Sequence, residues 1–168
     1  RRGYTRRPRA RSAAPHCMKR ILFVCLGNIC RSPTAEGVLR HQAHQAGLAD
    51  RVEFDSAGTG DWHIGKAPDP RTCAAALRRG YDLSGLRARQ FEVEDFHRFD
   101  LVLCMDQTNL AEVRKMAGGS AKSKTDLFLR RYDLVPGEVP DPYYGGDEGF
   151  DRVLDLIEHA ADALIQEV

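Results

Sequence analysis

The 168-residue chain lacks any apolar run long enough to cross a bilayer: the longest, Ile21 to Leu26, has six residues, against the roughly 18 that a spanning helix requires. Membrane insertion is therefore not expected. No charged-then-apolar leader with a small-residue cleavage site is apparent, and the five cysteines, at 17, 25, 30, 73 and 104, are odd in number and irregular in spacing. A secreted disulfide scaffold is thus disfavoured, and the expected location is cytoplasmic, with thiols kept reduced. No Gly-x-Gly-x-x-Gly dinucleotide fingerprint occurs, and the stretch between the first apolar run and the helix after it lacks the Gly-Lys pair of a Walker phosphate loop. None of the six histidines falls at a metal-ligand spacing with the cysteines, so they read as surface residues and no metal is expected.

Acidic residues are absent from the first 17 positions, which hold Arg1, Arg2, Arg6, Arg7, Arg9 and Arg11. The net charge of +1 hides this split, since the remainder carries 19 basic against 24 acidic side chains. A basic arm on an acidic body is one pattern of nucleic-acid binding. With almost no apolar residues, however, such an arm cannot offset its ordering entropy. Residues 1–17 are therefore expected to be a disordered extension, Met18 reads as the natural start, and no nucleic-acid partner is expected. The chain as a whole, 42% hydrophobic and 29% charged, suits one domain with a proper core.

The pattern alternates. Lys19–Leu26 is a short β-branched apolar run of the kind buried on both faces of a parallel sheet. Ser32 and Pro33 resemble an N-cap and first helical position, and Ala35, Val38, Leu39, Ala43 and Ala46 continue at helical spacing to Gly47. Arg51–Asp55 reads as a second strand, Pro70–Gly80 as a helix, Phe99–Met105 as a third strand with a helix beginning near Asp106, and Thr125–Leu129 as a fourth strand. Asp133–Gly149 is too rich in proline and glycine for regular structure. Phe150, Val153, Leu154, Ile157, Ala161, Leu164 and Ile165 then draw one apolar stripe, with Asp147, Glu148 and Asp151 at the positive end of that helix. The expected architecture is α/β: a three-layer sandwich around a central four-stranded parallel sheet, with right-handed crossovers. Ligands in such sheets bind beyond the carboxyl ends of the strands.

There lies the segment Cys25-Leu26-Gly27-Asn28-Ile29-Cys30-Arg31-Ser32. Successive backbone N–H groups of Leu26, Gly27, Asn28, Ile29 and Cys30, with the helix N-terminus next to them, suit an anion nest for phosphate. Gly27 and Asn28 tolerate the left-handed backbone that turns amides inward. Arg31 can grip two phosphate oxygens with its planar fork. Facing the same nest, Cys25 is expected to sit as a thiolate, with Ser32 donating to the sulfur when it must leave. A lone strand-end cysteine is more often mere core; the whole Cys-x5-Arg-Ser run at a strand-to-helix junction points to a nucleophile instead. A thiolate attacking a phosphoester needs a proton donor for the leaving oxygen. Asp141 is the candidate, in Asp141-Pro142-Tyr143-Tyr144, whose tyrosines can wall an aromatic cleft.

On these residues the chain from Met18 onward resembles the low-molecular-weight protein tyrosine phosphatases. The similarity runs through Val24–Glu36, Asp55–Thr59, Trp62–Arg71, Ala88–Gln90, Leu103–Leu110 and Asp141–Gly145. It implies a flavodoxin-like sheet topology and one phosphatase domain over 18–168. It further implies Cys25 as nucleophile, Arg31 as phosphate clamp, Ser32 as activator, Asp141 as general acid and then base, and Asn28 as holder of the loop's strained shape. Trp62, Tyr143 and Tyr144 would line the cleft. The implied substrate is a phosphotyrosine protein and the product inorganic phosphate, with no cofactor and no metal. One departure stands out: members often carry a histidine just before Ala-Arg-Gln that helps hold the loop asparagine, and Ser84-Gly85-Leu86-Arg87 offers none. The resemblance also implies redox regulation, with Cys30 a pair partner for Cys25, whereas spacing alone suits a buried filler equally well.

Related chemistries fit less closely. Arsenate reductases of this fold relay electrons through two further cysteines; Cys104 suits the first, but position 111, where the second would stand, is alanine. Arginine phosphatases place threonine where Ile29 stands and lack the double tyrosine. A non-catalytic phosphate-binding module would have no use for Asp141, and a redox sensor using Cys25 and Cys30 is the other class to test.

Overall fold

A computed structural model describes residues 17–168. The expected basic extension over 1–17 lies outside them, save Cys17, and nothing structural bears on it.

Four strands form the sheet: β1 (Lys19–Cys25), β2 (Val52–Gly58), β3 (Leu101–Cys104) and β4 (Thr125–Leu127). All neighbours run parallel in the order β2-β1-β3-β4, as the alternating sequence pattern and the flavodoxin-like expectation required. Because successive side chains point to opposite faces, β1 supplies both cores. Ile21 and Phe23 pack with α1 (Arg31–Gln45), α2 (Pro70–Arg78) and α6 (Glu148–Glu167); Leu22 and Val24 pack with α3 (Asp95–Arg98) and α4 (Gln107–Met116). These two apolar seams make the three layers, and the continuous hydrophobic run of β1 reflects its burial on both sides.

Several boundaries differ from expectation, each for a physical reason. The N-cap of α1 is Cys30 rather than Ser32, because the Ser32 hydroxyl is engaged below the helix by Cys25 and Asn28. β4 ends at Leu127, and Phe128–Arg131 turns at once into the short helix α5, burying Phe128 and Leu129. α3, only four residues long, is too short to announce itself by periodicity. Asp106 does cap α4, its Oδ1 accepting from the Asn109 N–H at 2.8 Å, an arrangement worth about 1 kcal/mol.

Gly58 shows how closely β2 passes beneath the β1–α1 loop. A Cβ there would lie 2.7 Å from the Leu26 carbonyl and 3.1 Å from the Asn28 amide nitrogen, so no larger residue fits without displacing the loop.

Candidate active site

β1 delivers Cys25 to the carboxyl edge of the sheet, and the chain crosses to α1 through Leu26–Cys30. Cys25 is 2% exposed. Its sulfur receives the Asn28 backbone N–H at 3.3 Å and meets Ser32 Oγ at 3.0 Å. Asn28 holds φ at +57°, a left-handed conformation costing a non-glycine residue free energy. Three side-chain bonds stabilise it there: Nδ2 donates to Ser32 Oγ (2.8 Å) and Ser56 Oγ (2.9 Å), and Oδ1 accepts from the Arg89 backbone N–H (3.0 Å). The missing family histidine thus leaves no unpaired asparagine, because the main chain at Arg89 makes the contact.

Arg31 is 2% exposed and fixed from a side the sequence did not reveal. Nη1 donates to Asp106 Oδ2 at 2.5 Å and to the Val139 carbonyl at 3.1 Å, and Nη2 lies 3.6 Å from Asp141 Oδ2. Burial works against its charge, yet the neighbouring Cys25, Asp106 and Asp141 hold its pKa above the ordinary arginine value. One oxygen of Asp106 therefore caps α4 while the other orients the guanidinium.

Asp141 arrives from the far side. The 132–147 segment is tied to the end of β3 where the Val139 N–H donates to the Met105 carbonyl (2.8 Å). Asp141 Oδ1 accepts from the Tyr143 N–H at 3.1 Å, which points the tyrosine loop back toward the cysteine loop. Arg71 secures that loop, donating to the Tyr143 carbonyl at 3.1 Å with its guanidinium 5.4 Å from the Tyr143 ring centroid, while Asp69 pairs with it at 3.0 Å.

Together these elements enclose a cleft of about 210 Å³. Its floor is Cys25, Leu26, Gly27, Ile29, Cys30 and Arg31, and its walls are Trp62, His63, Asp141, Tyr143 and Tyr144. The side chains of Asn28 and Ser32 do not line it; they sit behind the loop as supports. His63 corrects the reading of all histidines as surface residues. It lines the cleft beside Trp62, and a Cβ on Gly27 would lie 2.9 Å from its ring. The signal available was its place within the matched Trp62–Arg71 segment. Burial pushes the Cys30 thiol up to about 12, with the nearby Asp69 carboxylate adding to the rise.

Comparison with known proteins agrees with this geometry. The family model described as low molecular weight phosphotyrosine protein phosphatase matches residues 20–168. The chain belongs to that family. A low molecular weight protein-tyrosine-phosphatase of Streptomyces coelicolor is 46% identical over 153 residues, 89% of this chain and 93% of its own length. The human low molecular weight phosphotyrosine protein phosphatase is 40% identical over 146 residues, 83% and 89% of the two chains. Among solved structures, a protein tyrosine phosphatase of Entamoeba histolytica with Hepes in its active site superposes with a TM-score of 0.85 at 38% identity, covering 89% of this chain and 96% of that one. YfkJ of Bacillus subtilis gives 0.84 at 39% identity, with 90% and 94% covered. Among the described residues, no helix is long and apolar enough to cross a membrane.

Proposed function

We propose that this chain hydrolyses phosphotyrosine in proteins through a cysteinyl-phosphate intermediate. The observation that carries the reading is the convergence of Cys25, Arg31 and Asp141 on one cleft. The Cys25 thiolate attacks phosphorus, a P–S bond forms, and the P–O bond to the phenol breaks as Asp141 protonates the departing oxygen. Asp141, now a carboxylate, takes a proton from the water that attacks the phosphocysteine. Inorganic phosphate leaves, and Ser32 donates to the sulfur it leaves behind. Arg31 and the backbone amides of Leu26–Arg31 stabilise the charge on the transferred group. Every step is carried by side chains and water, with no metal or cofactor invoked.

Specificity derives from depth and walls. The Cys25 sulfur lies at the bottom of a cleft flanked by Ile29, Trp62, Tyr143 and Tyr144, which a phosphorylated phenol spans and the shorter phosphoserine does not. Free thiols at all five cysteines support work in a reducing, cytoplasmic setting. We further read residues 18–168 as one catalytic domain, with Cys30 able to trap an oxidised Cys25 as a disulfide. Incubation with p-nitrophenyl phosphate at mildly acid pH, and then with phosphotyrosine and phosphoserine peptides, tests the assignment. Turnover of the aryl and phosphotyrosine substrates with little on phosphoserine is expected. No turnover of p-nitrophenyl phosphate overturns the enzyme, and equal efficiency on both peptides overturns the cleft argument.

A further inference from the structure

Glu36 is a buried acid on α1, 3% exposed, with no part in the chemistry above. Its Oε1 accepts the Ser56 hydroxyl at 2.8 Å. Ser56 Oγ in turn accepts from Asn28 Nδ2, which also donates to Ser32 Oγ, and Ser32 Oγ touches the Cys25 sulfur. A continuous hydrogen-bonded line thus runs from Glu36 to the nucleophile.

The directions of the bonds around Asn28 are determined. The Arg89 backbone N–H can only donate, so the Asn28 amide must turn its oxygen to Arg89 and its nitrogen to the two serines. Both serine oxygens are then acceptors toward Asn28. Each has one proton left to place. For Ser32 the shorter contact is the Cys25 sulfur at 3.0 Å, with the Ala57 carbonyl at 3.4 Å the alternative. For Ser56 the acceptor is Glu36. Without an acceptor at that end, Ser56 would have a buried proton unplaced or would turn it toward Asn28, leaving a buried amide N–H unpaired, which costs stability. Asn28 is also the residue held in the left-handed conformation, so the strain and the bond polarity share one support.

We propose that Glu36 is a positioning residue for the nucleophile: by taking the Ser56 proton it keeps Ser56 an acceptor for Asn28, and so holds the loop asparagine where Ser32 is left free to donate to Cys25. The charged groups around it are Arg40 on its own helix, Nη1 to Oε2 at 3.0 Å, and Asp55 on β2, itself paired with Arg89 at 3.0 Å. Arg40 occupies the second oxygen and leaves the first for Ser56. In Glu36→Gln the same arginine, which only donates, claims the amide oxygen and turns the NH2 toward Ser56. The isosteric change therefore reverses the bond rather than removing it.

The inference rests on Cys25 being the nucleophile, so the test reads that thiol without turnover. Alkylation by iodoacetamide is tracked by peptide mass over a pH series that extends above the Glu36 titration, so that the carboxylate is present at its upper end. Glu36→Gln is expected to slow modification of Cys25 about tenfold, the effect of a one-unit change in thiolate preference. Combined with Ser56→Ala, it should cost no more than Ser56→Ala alone, since both cut one line. Glu36→Asp, a methylene short of Ser56 but still charged, is the second variant and should show a smaller fall in the same direction. Melting curves verify that the variants compared are folded. Parental alkylation rates in both Glu36 variants, or losses that add in the double variant, overturn the proposal. Failure of the parent to hydrolyse aryl phosphates would instead overturn the phosphatase reading, which the alkylation result does not depend on.

Discussion

The two loops that meet at the cleft are built in opposite ways. The Cys25–Arg31 loop is buried between β1, β2 and α1, with interior hydrogen bonds to Ser56, Arg89 and Asp106 and a glycine beneath it that tolerates no side chain. The Asp141–Tyr144 loop stands on the surface, Tyr144 at 94% exposure, secured through Arg71, Arg31 and the tether at Val139. The difference matches their tasks. An anion nest works only if its amides already point inward, since preorganised dipoles need no rearrangement as charge develops. A proton donor and aromatic walls must instead admit a protein-borne phenol and release it.

Breaking the buried half should cost most. Cys25→Ser is expected to abolish turnover of p-nitrophenyl phosphate while leaving inhibition by inorganic phosphate largely intact, because the nest and Arg31 remain. Steady-state rates decide this; activity within tenfold of the parent would remove Cys25 as nucleophile. The exposed half comes next. Asp141→Asn should lower kcat on phosphotyrosine roughly 10²–10⁴-fold and on p-nitrophenyl phosphate by less, since a good leaving group departs without a proton. Equal losses on both substrates would place the acid elsewhere.

The buried half was the more legible in sequence, and the reason is that it is local. β1, the Cys-x5-Arg-Ser loop and the start of α1 are contiguous, so the strand, nest and clamp can be read from one stretch. Asp141 was legible by its chemistry and by the stiff Asp-Pro-Tyr-Tyr segment. What stayed hidden are the partners that only folding brings together. Asp106 looked like an ordinary cap because its second oxygen has a tertiary use. Glu36 looked like any polar helix residue, and of the two tasks read for Ser32, N-cap and donor to the sulfur, only the contact with the sulfur is present. Arg71 lies 72 residues before the Tyr143 that it holds, and His63 is a whole helix and strand away from the Gly27 that it faces. Both separations are beyond the reach of periodicity.

Two of these hidden partners sharpen the contrast. Asp106→Asn keeps a capping oxygen but removes the charge opposite Arg31, so kcat/KM should fall about tenfold, the scale of one charge-assisted hydrogen bond. A variant that matches the parent in kcat/KM would mean Arg31 is held well enough by Val139 and the loop itself. Arg71→Ala should act only on the exposed half. Freed from its contacts with the Tyr143 carbonyl and ring, the tyrosine wall should raise KM for phosphotyrosine peptides severalfold, about 1 kcal/mol by the usual worth of one hydrogen bond, with kcat on p-nitrophenyl phosphate nearly unchanged. A matching fall in that kcat would show that Arg71 supports the buried half as well.

The smallest effect expected concerns stability, and it asks whether the buried loop is maintained at a cost to the fold. Burial, with Asp55 adding to it and Arg40 and Ser56 opposing, raises the Glu36 carboxyl from an ordinary value of 4.5 to about 7. Between those values the folded chain keeps a proton that the unfolded chain has lost, so unfolding releases it and rising pH favours the unfolded state. The contribution of Glu36 to stability therefore declines as pH rises through that window and levels off above it. Glu36→Gln cannot titrate and lacks this decline. Its melting temperature, measured relative to the parent, should accordingly climb between about pH 5 and about pH 8 by several degrees, at roughly 2–4 °C per kcal/mol for a chain of this size. Taking the difference between the two proteins cancels the other titrating groups. A gap that stays constant across the window would mean that Glu36 ionises in the folded chain as it does in the unfolded one, and that the line of bonds to Cys25 is held at no cost in stability. A climbing gap, set beside slower Cys25 alkylation in the same variant, would show one side chain favouring the nucleophile at the expense of the fold that carries it.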